Sequence, residues 1–219
     1  MPDNPPPDYE AIEIEMWRKN AKEVADEVKS GSERLKERIG LYVSRFGFSE
    51  QEVRDKIVAD SMFAAYFAKE PRRMGFHEAA AAKWINCLSS VKNFKVLPKG
   101  GANAIYVTSD GNIQTGPLKN RPGKSLDFMW ETGKTICYAM HKYTKEGGGN
   151  QDSQFQEMVL LLRNFQSCND KNCILFVIAD GEYYHGKKMN ELRNHVRSQP
   201  PKSYALSIQE LPGVLENYL

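Results

Sequence analysis

A chain of 219 residues, 41% apolar and 26% charged, has material for one sizeable core, or for a main domain carrying a small helical one. No apolar run approaches the roughly 18 residues needed to span a bilayer, and the proline-rich, acidic start MPDNPPPDYE is unlike a secretory signal, so a cytoplasmic protein without membrane partners is expected. Cys87, Cys137, Cys168 and Cys173 lack C-x-x-C spacing and none of the four histidines completes a zinc set, which predicts reduced thiols.

The net charge of +2 is unremarkable, but its distribution is uneven. Residues 1–37 hold ten acids against six Lys or Arg, whereas residues 119–145 hold six Lys or Arg against Asp127 and Glu131. A basic zone of that kind suits a polyanionic ligand.

Four prolines in the first seven residues forbid regular structure there. From residue 9 to 39 apolar residues recur at helical spacing, with a break at Ser30-Gly31-Ser32. A second helix runs over 41–46 to Gly47. Ser49 and Glu52 read as a capping box opening a helix that continues to Lys69. An Ala-rich helix over 76–91 follows Glu70-Pro71 and Arg72-Arg73. The first 90 residues are therefore expected to be a helical region, and residues 91–219 a main body of different character.

Past residue 90 the apolar period changes to that of strands, over 94–97, 104–108, 125–130 and 134–143, the last two joined as an antiparallel hairpin by Glu131-Thr132-Gly133. Gly147-Gly148-Gly149 leads into a helix over 151–166, and the uninterrupted apolar run CILFVIA (173–179) reads as a strand buried on both faces. A helix over 189–197, a short strand over 204–207 and a closing helix over 208–218 complete the chain. The order predicts an α/β fold with a mixed sheet flanked by helices, antiparallel in its first half and parallel in its second.

The chemistry concentrates in 124–158, KSLDFMWETGKTICYAMHKYTKEGGGNQDSQFQEM. Strand alternation sends Tyr138, Met140 and Lys142 to one face, and Asp127 near the start of the preceding strand can lie across from them. A carboxylate and an ammonium converging there are two of the parts that phosphodiester hydrolysis needs: a ligand for a divalent cation, and a group that orients or deprotonates the attacking water.

An aspartate, a hairpin, x-x-Lys and a helix in that order resemble the PD-(D/E)xK nuclease superfamily. More narrowly, LDFMW, KYTKEGGGNQDSQ and IADGEYY, with RRMGFHE and LPKGGANAIYV upstream, resemble type II restriction endonucleases over roughly residues 70–210. The resemblance implies a restriction-endonuclease-like core with a helical N-terminal region serving dimerisation or DNA clamping. It implies Mg2+-dependent cleavage of double-stranded DNA at a short specific sequence, by a homodimer, with a cognate DNA methyltransferase in the same system. Asp127 would hold the metal and Lys142 would act on the water.

Two positions depart from the pattern. Leu126 stands where the motif has proline, which has no chemical role. Met140 stands where it has an acid, and a thioether is a poor ligand for a hard cation. A replacement carboxylate is expected from Glu157 on the following helix or Glu78 on the helix before the sheet, ahead of Glu146. Lys99, Lys119, Arg121, Lys124, Lys145, Lys187 and Lys188 are candidate phosphate contacts. The polar helix start Asn150, Gln151, Asp152, Ser153 and Gln154 is a candidate for reading bases or holding phosphate. Two other readings stay open: a repair or structure-specific nuclease of the same fold, and a catalytically inactive DNA-binding module in which Met140 marks lost metal binding.

Overall fold

The computed structural model describes residues 5–71, 75–117, 123–147 and 149–219. They divide into two compact units that meet in the chain between Phe76 and His77. The helix expected to close the N-terminal region at residue 90 thus falls almost wholly in the second unit, because its apolar face is used by the sheet there.

The first unit is helical. Helix α1 (Tyr9–Lys29) starts at Asp8, whose carboxylate accepts from the Ala11 N–H, and α2 (Lys36–Phe46) ends at Gly47 in the left-handed conformation. Ser49 and Glu52 form the expected capping box at the head of α3 (Glu50–Ala59). The single helix predicted from there to Lys69 is two. Asp60 takes an extended conformation and caps α4 (Ser61–Phe67), accepting from the Met62 and Phe63 N–H groups. Val24, Val28, Leu35, Ile39, Val53, Ile57, Ala64 and Phe67 form this unit's own core.

The second unit is a sheet with helices on both faces. It contains α5 (Phe76–Asn86, shared with the first unit at Phe76 alone), β1 (Lys92–Val96), β2 (Ile105–Val107), β3 (Ile113–Thr115), β4 (Phe128–Thr132) and β5 (Thr135–Tyr143). After these come α6 (Gly149–Phe165), β6 (Cys173–Asp180), α7 (Lys187–Arg193), β7 (Ser203–Leu206) and α8 (Leu211–Leu215). The main sheet has the order β1-β4-β5-β6-β7; the β1-β4 and β4-β5 pairs are antiparallel, and β5-β6 and β6-β7 are parallel. This is the mixed sheet that the pattern predicts. Strand β2, expected to join it, instead pairs with the unpredicted β3 in a separate two-stranded sheet. The closing helix is broken into a 3-10 turn, α8 and a second 3-10 turn around Pro212-Gly213.

Alternation along the strands builds two cores. On one face Leu126, Met140, Leu175 and Val177 pack with Phe155, Met158 and Leu162 of α6 and with Leu192 of α7. On the other, Phe128, Trp130, Ala139, Phe176 and Ile178 pack with Ala81, Trp84 and Ile85 of α5 and with Leu211 and Leu215 around α8. Every residue of β6 is buried, as a central strand covered on both faces requires. All four cysteines are free; Cys168 and Cys173 face each other at 3.8 Å between sulfurs. Among the described residues no helix is long and apolar enough to cross a membrane.

Candidate active site

The register of the β4-β5 hairpin sets the site. Phe128 pairs with Ala139, so Asp127, one residue before β4, falls opposite Met140 and on its face of the sheet. Its backbone is held from both sides: the Asp127 N–H donates to the Ala139 carbonyl, and the Asp127 carbonyl accepts from the Leu97 N–H, each at 2.8 Å. Asp127 is 5% exposed. Its Oδ2 accepts from the His141 N–H at 2.8 Å and lies 4.0 Å from Lys142 Nζ. Burial pushes the Asp127 carboxyl above the usual carboxylate range, against the pull of the Lys142 ammonium and the His141 N–H.

Asp127 and Lys142 line a cleft of about 320 Å3 together with Lys99, Tyr106, Gly123, Lys124 and Ser125. Its two other lysines each hold one of the sequence-predicted replacement acids. Lys99, on the connection after β1, places Nζ 2.6 Å from Glu78 Oε2 in the first turn of α5. Lys124, on the approach to β4, stands 2.9 Å from Glu157 Oε2 on α6, a charge contact outside hydrogen-bond geometry. The hydrogen bond with Glu78 raises the Lys99 pKa above its ordinary value, reinforced by the charges of Glu78 and Asp127 and opposed by burial. In each pair the acid is the more covered partner: side-chain exposures are 20% for Glu78 against 70% for Lys99, and 29% for Glu157 against 50% for Lys124.

The remaining candidates are placed elsewhere or otherwise engaged. Met140 is buried in the core with Met158 and Leu97. Glu146 is exposed and is not among the residues lining the cleft. Asp152 accepts from the Tyr183 hydroxyl and lies 3.8 Å from Lys188 Nζ, which also sits over the Phe155 ring at 4.1 Å; these contacts fasten the start of α6. Gln151, Ser153 and Gln154 share that helix start, Lys145 is half-buried just beyond β5, and Lys187 is exposed at the head of α7. Lys119, Arg121 and the side chain of Asn150 lie outside the described residues.

One buried pair was not anticipated. His141 Nε2 is 3.1 Å from Asp180 Oδ2, and Asp180 Oδ1 accepts from the Ile208 N–H at 2.9 Å. This pair lies across the sheet from the cleft, since His141 alternates with Met140 and Lys142. It ties the end of β5 to β6 and to the turn after β7, directly behind the backbone N–H that binds Asp127. Next to it, the rings of His77 and Tyr143 stack at 4.2 Å, joining the start of α5 to the same strand end. Nothing in the sequence links positions 39 residues apart.

Carboxylate oxygens are the right donors for Mg2+. As arranged, however, they do not form a cation site: among the described residues Asp127 is the one acid lining the cleft, and no three His, Cys, Asp or Glu side chains converge. The cleft is a mixed-charge surface, three ammonium groups over one buried and two lysine-held carboxylates.

No protein-family model matches the chain, and no curated protein does. Among solved structures, protein VC1899 from Vibrio cholerae aligns with 93% of this chain and 54% of its own, at 10% identity and a TM-score of 0.30. The chain spans about half the length of that protein, and a likeness of that degree carries no argument about function.

Proposed function

We propose that this protein is a DNA endonuclease of the type II restriction class, built on a PD-(D/E)xK core and hydrolysing phosphodiester bonds of double-stranded DNA at a short specific sequence. The observation that carries the reading is the buried Asp127 carboxylate, just ahead of β4, beside Lys142 on the antiparallel β5, at the edge of a cleft with two further lysines. In such a reaction a water oxygen bonds to phosphorus, the bond from phosphorus to the 3′ oxygen breaks, and a 5′-phosphate remains. The Lys142 ammonium is placed to steady charge on a phosphoryl oxygen or to orient the water, and the His141 N–H and the strand backbone hold Asp127 fixed. Lys99 and Lys124 supply positive charge along the phosphate path. The reading calls for Mg2+, and a palindromic site would call for a two-fold homodimer and a methyltransferase protecting the host DNA.

A second reading has one observation in its favour. Met140 fills the position of an acid with a fully packed thioether, as in a DNA-binding module that has lost its metal. Plasmid digestion separates the two. A nuclease converts supercoiled plasmid to discrete bands in Mg2+, and Asp127→Ala or Lys142→Ala lowers the rate by about 100-fold or more. A smear, or preference for branched DNA, points to a repair nuclease of the same fold. Plasmid left intact by the parent and both variants alike sinks the catalytic reading.

A further inference from the structure

The helical unit leaves an apolar surface uncovered. Tyr42 of α2 is ringed by Phe46, Phe48, Phe63, Tyr66 and Phe67, at centroid distances of 4.5 to 6.2 Å. Phe67 is buried, but Phe46, Phe48 and Tyr66 are exposed, and Leu41 and Met62 of the same two helices are 66% and 85% exposed. Two hollows meet at Tyr42. One, of about 640 Å3, is walled by Arg38, Leu41, Arg45, Phe46 and Tyr66; the other, of about 280 Å3, by Phe48, Glu52, Val53, Lys56 and Phe63. Exposed rings and arginines, with Lys and Glu kept to one side, are the composition of the core of a protein-binding surface.

Charge and backbone narrow the partner. The larger hollow has two arginines and no carboxylate among its described lining residues. Arg38 donates to the Tyr66 and Phe67 carbonyls at the end of α4, and among the described residues neither Arg38 nor Arg45 pairs with a carboxylate, whereas Arg34 and Arg54 of the same unit each hold a glutamate. Two copies meeting through this hollow would set arginine against arginine, which disfavours a second copy of the chain. An extended strand finds no sheet edge on a surface of helices, but a helix can lay side chains three and four apart into both hollows. Single-stranded nucleic acid would bring negative charge, yet Leu41 and Met62 offer its bases no ring to stack on.

We infer that the face formed by α2 and α4 docks an acidic amphipathic helix of a partner protein, its apolar stripe filling the hollows around Tyr42 and its flanking Asp or Glu side chains pairing with Arg38 and Arg45. Every residue involved belongs to the helical unit, so the site stands whatever reaction the cleft of the other unit performs.

The test presents the full chain with a display library of random peptides of roughly 15 residues, about four helical turns, and discards those that also bind Leu41→Glu. Leu41 is largely exposed, so this variant keeps the fold, which a thermal melt checks; Met62→Glu replaces it if the melt is lost. The selected peptides are expected to carry apolar residues at three- and four-residue spacing, with Asp and Glu in excess of Lys and Arg. A synthetic peptide of the leading sequence should gain helical circular dichroism on binding and bind Arg45→Glu at least about tenfold more weakly than the parent. Absence of any peptide that distinguishes parent from variant, or selection of basic or non-helical ones, overturns the inference. So does sedimentation showing a parent dimer that Leu41→Glu dissociates, which assigns the face to a second copy, or binding of a single-stranded oligonucleotide that the same variant abolishes.

Discussion

Burial raises the Asp127 carboxyl above its ordinary value by more than Lys142 and the His141 N–H lower it, so ionising it costs more in the folded chain than in the unfolded one. Below the ordinary value of 3.8 both folded and unfolded chains carry it protonated and it costs nothing. As pH rises past that value the unfolded chain ionises first, and stability falls until pH exceeds the raised folded pKa. Asp127→Asn is therefore expected to melt higher than the parent at pH 7, by roughly 2 °C or more, while losing activity. The gain should shrink as pH falls toward 3.8, and thermal melts of both proteins across that window check it. The sequence pattern singled out Asp127, Lys142, Glu78 and Glu157, and the structure places the first two in one cleft and pairs the other two with lysines of that cleft. What the sequence could not show was that Lys99 and Lys124, read as loose phosphate contacts, are the partners of the two acids, because ion pairs between distant segments leave no local pattern.

The hairpin of β4 and β5 and the strand β6 were legible because alternation and an uninterrupted apolar run are local signals. Strand β3 was not: three residues, Ile113–Thr115, are too few for a period to register. The break at Asp60 was missed because Asp in a helical pattern reads as a tolerated polar residue until its carboxylate is seen capping the next helix. The seam at the Lys142 end of β5 was also invisible. There Gly181 has a φ of +98° and a Cβ at that position would stand 2.2 Å from the Thr144 carbonyl oxygen. Thr144 donates its N–H to the Asp180 carbonyl and accepts from the Tyr183 N–H, so this contact joins the ends of β5 and β6. Gly181→Ala should cost about 2 kcal/mol or more, from left-handed strain and the clash together, measured by urea denaturation with an unchanged slope. It should also slow cleavage, since Lys142 lies two residues before Thr144.

The two units carry separate cores. The buried residues of the helical core lie within 21–68, and those of the two sheet cores within 81–215. A fragment of residues 77–219 is therefore expected to fold by itself with one cooperative transition, while an absence of cooperative melting would show that the sheet depends on the helical unit. The apolar period changes near residue 90, whereas the two units divide between Phe76 and His77, because α5 is as helical as its predecessors and helical periodicity does not say which core a helix serves. Sequencing the ends of plasmid digested by the whole chain in Mg2+ reads out site-specific cleavage. The expected result is 5′-phosphate ends sharing one short sequence, and none above background from Asp127→Ala; ends with no common sequence, or no ends at all, overturn the proposed nuclease function.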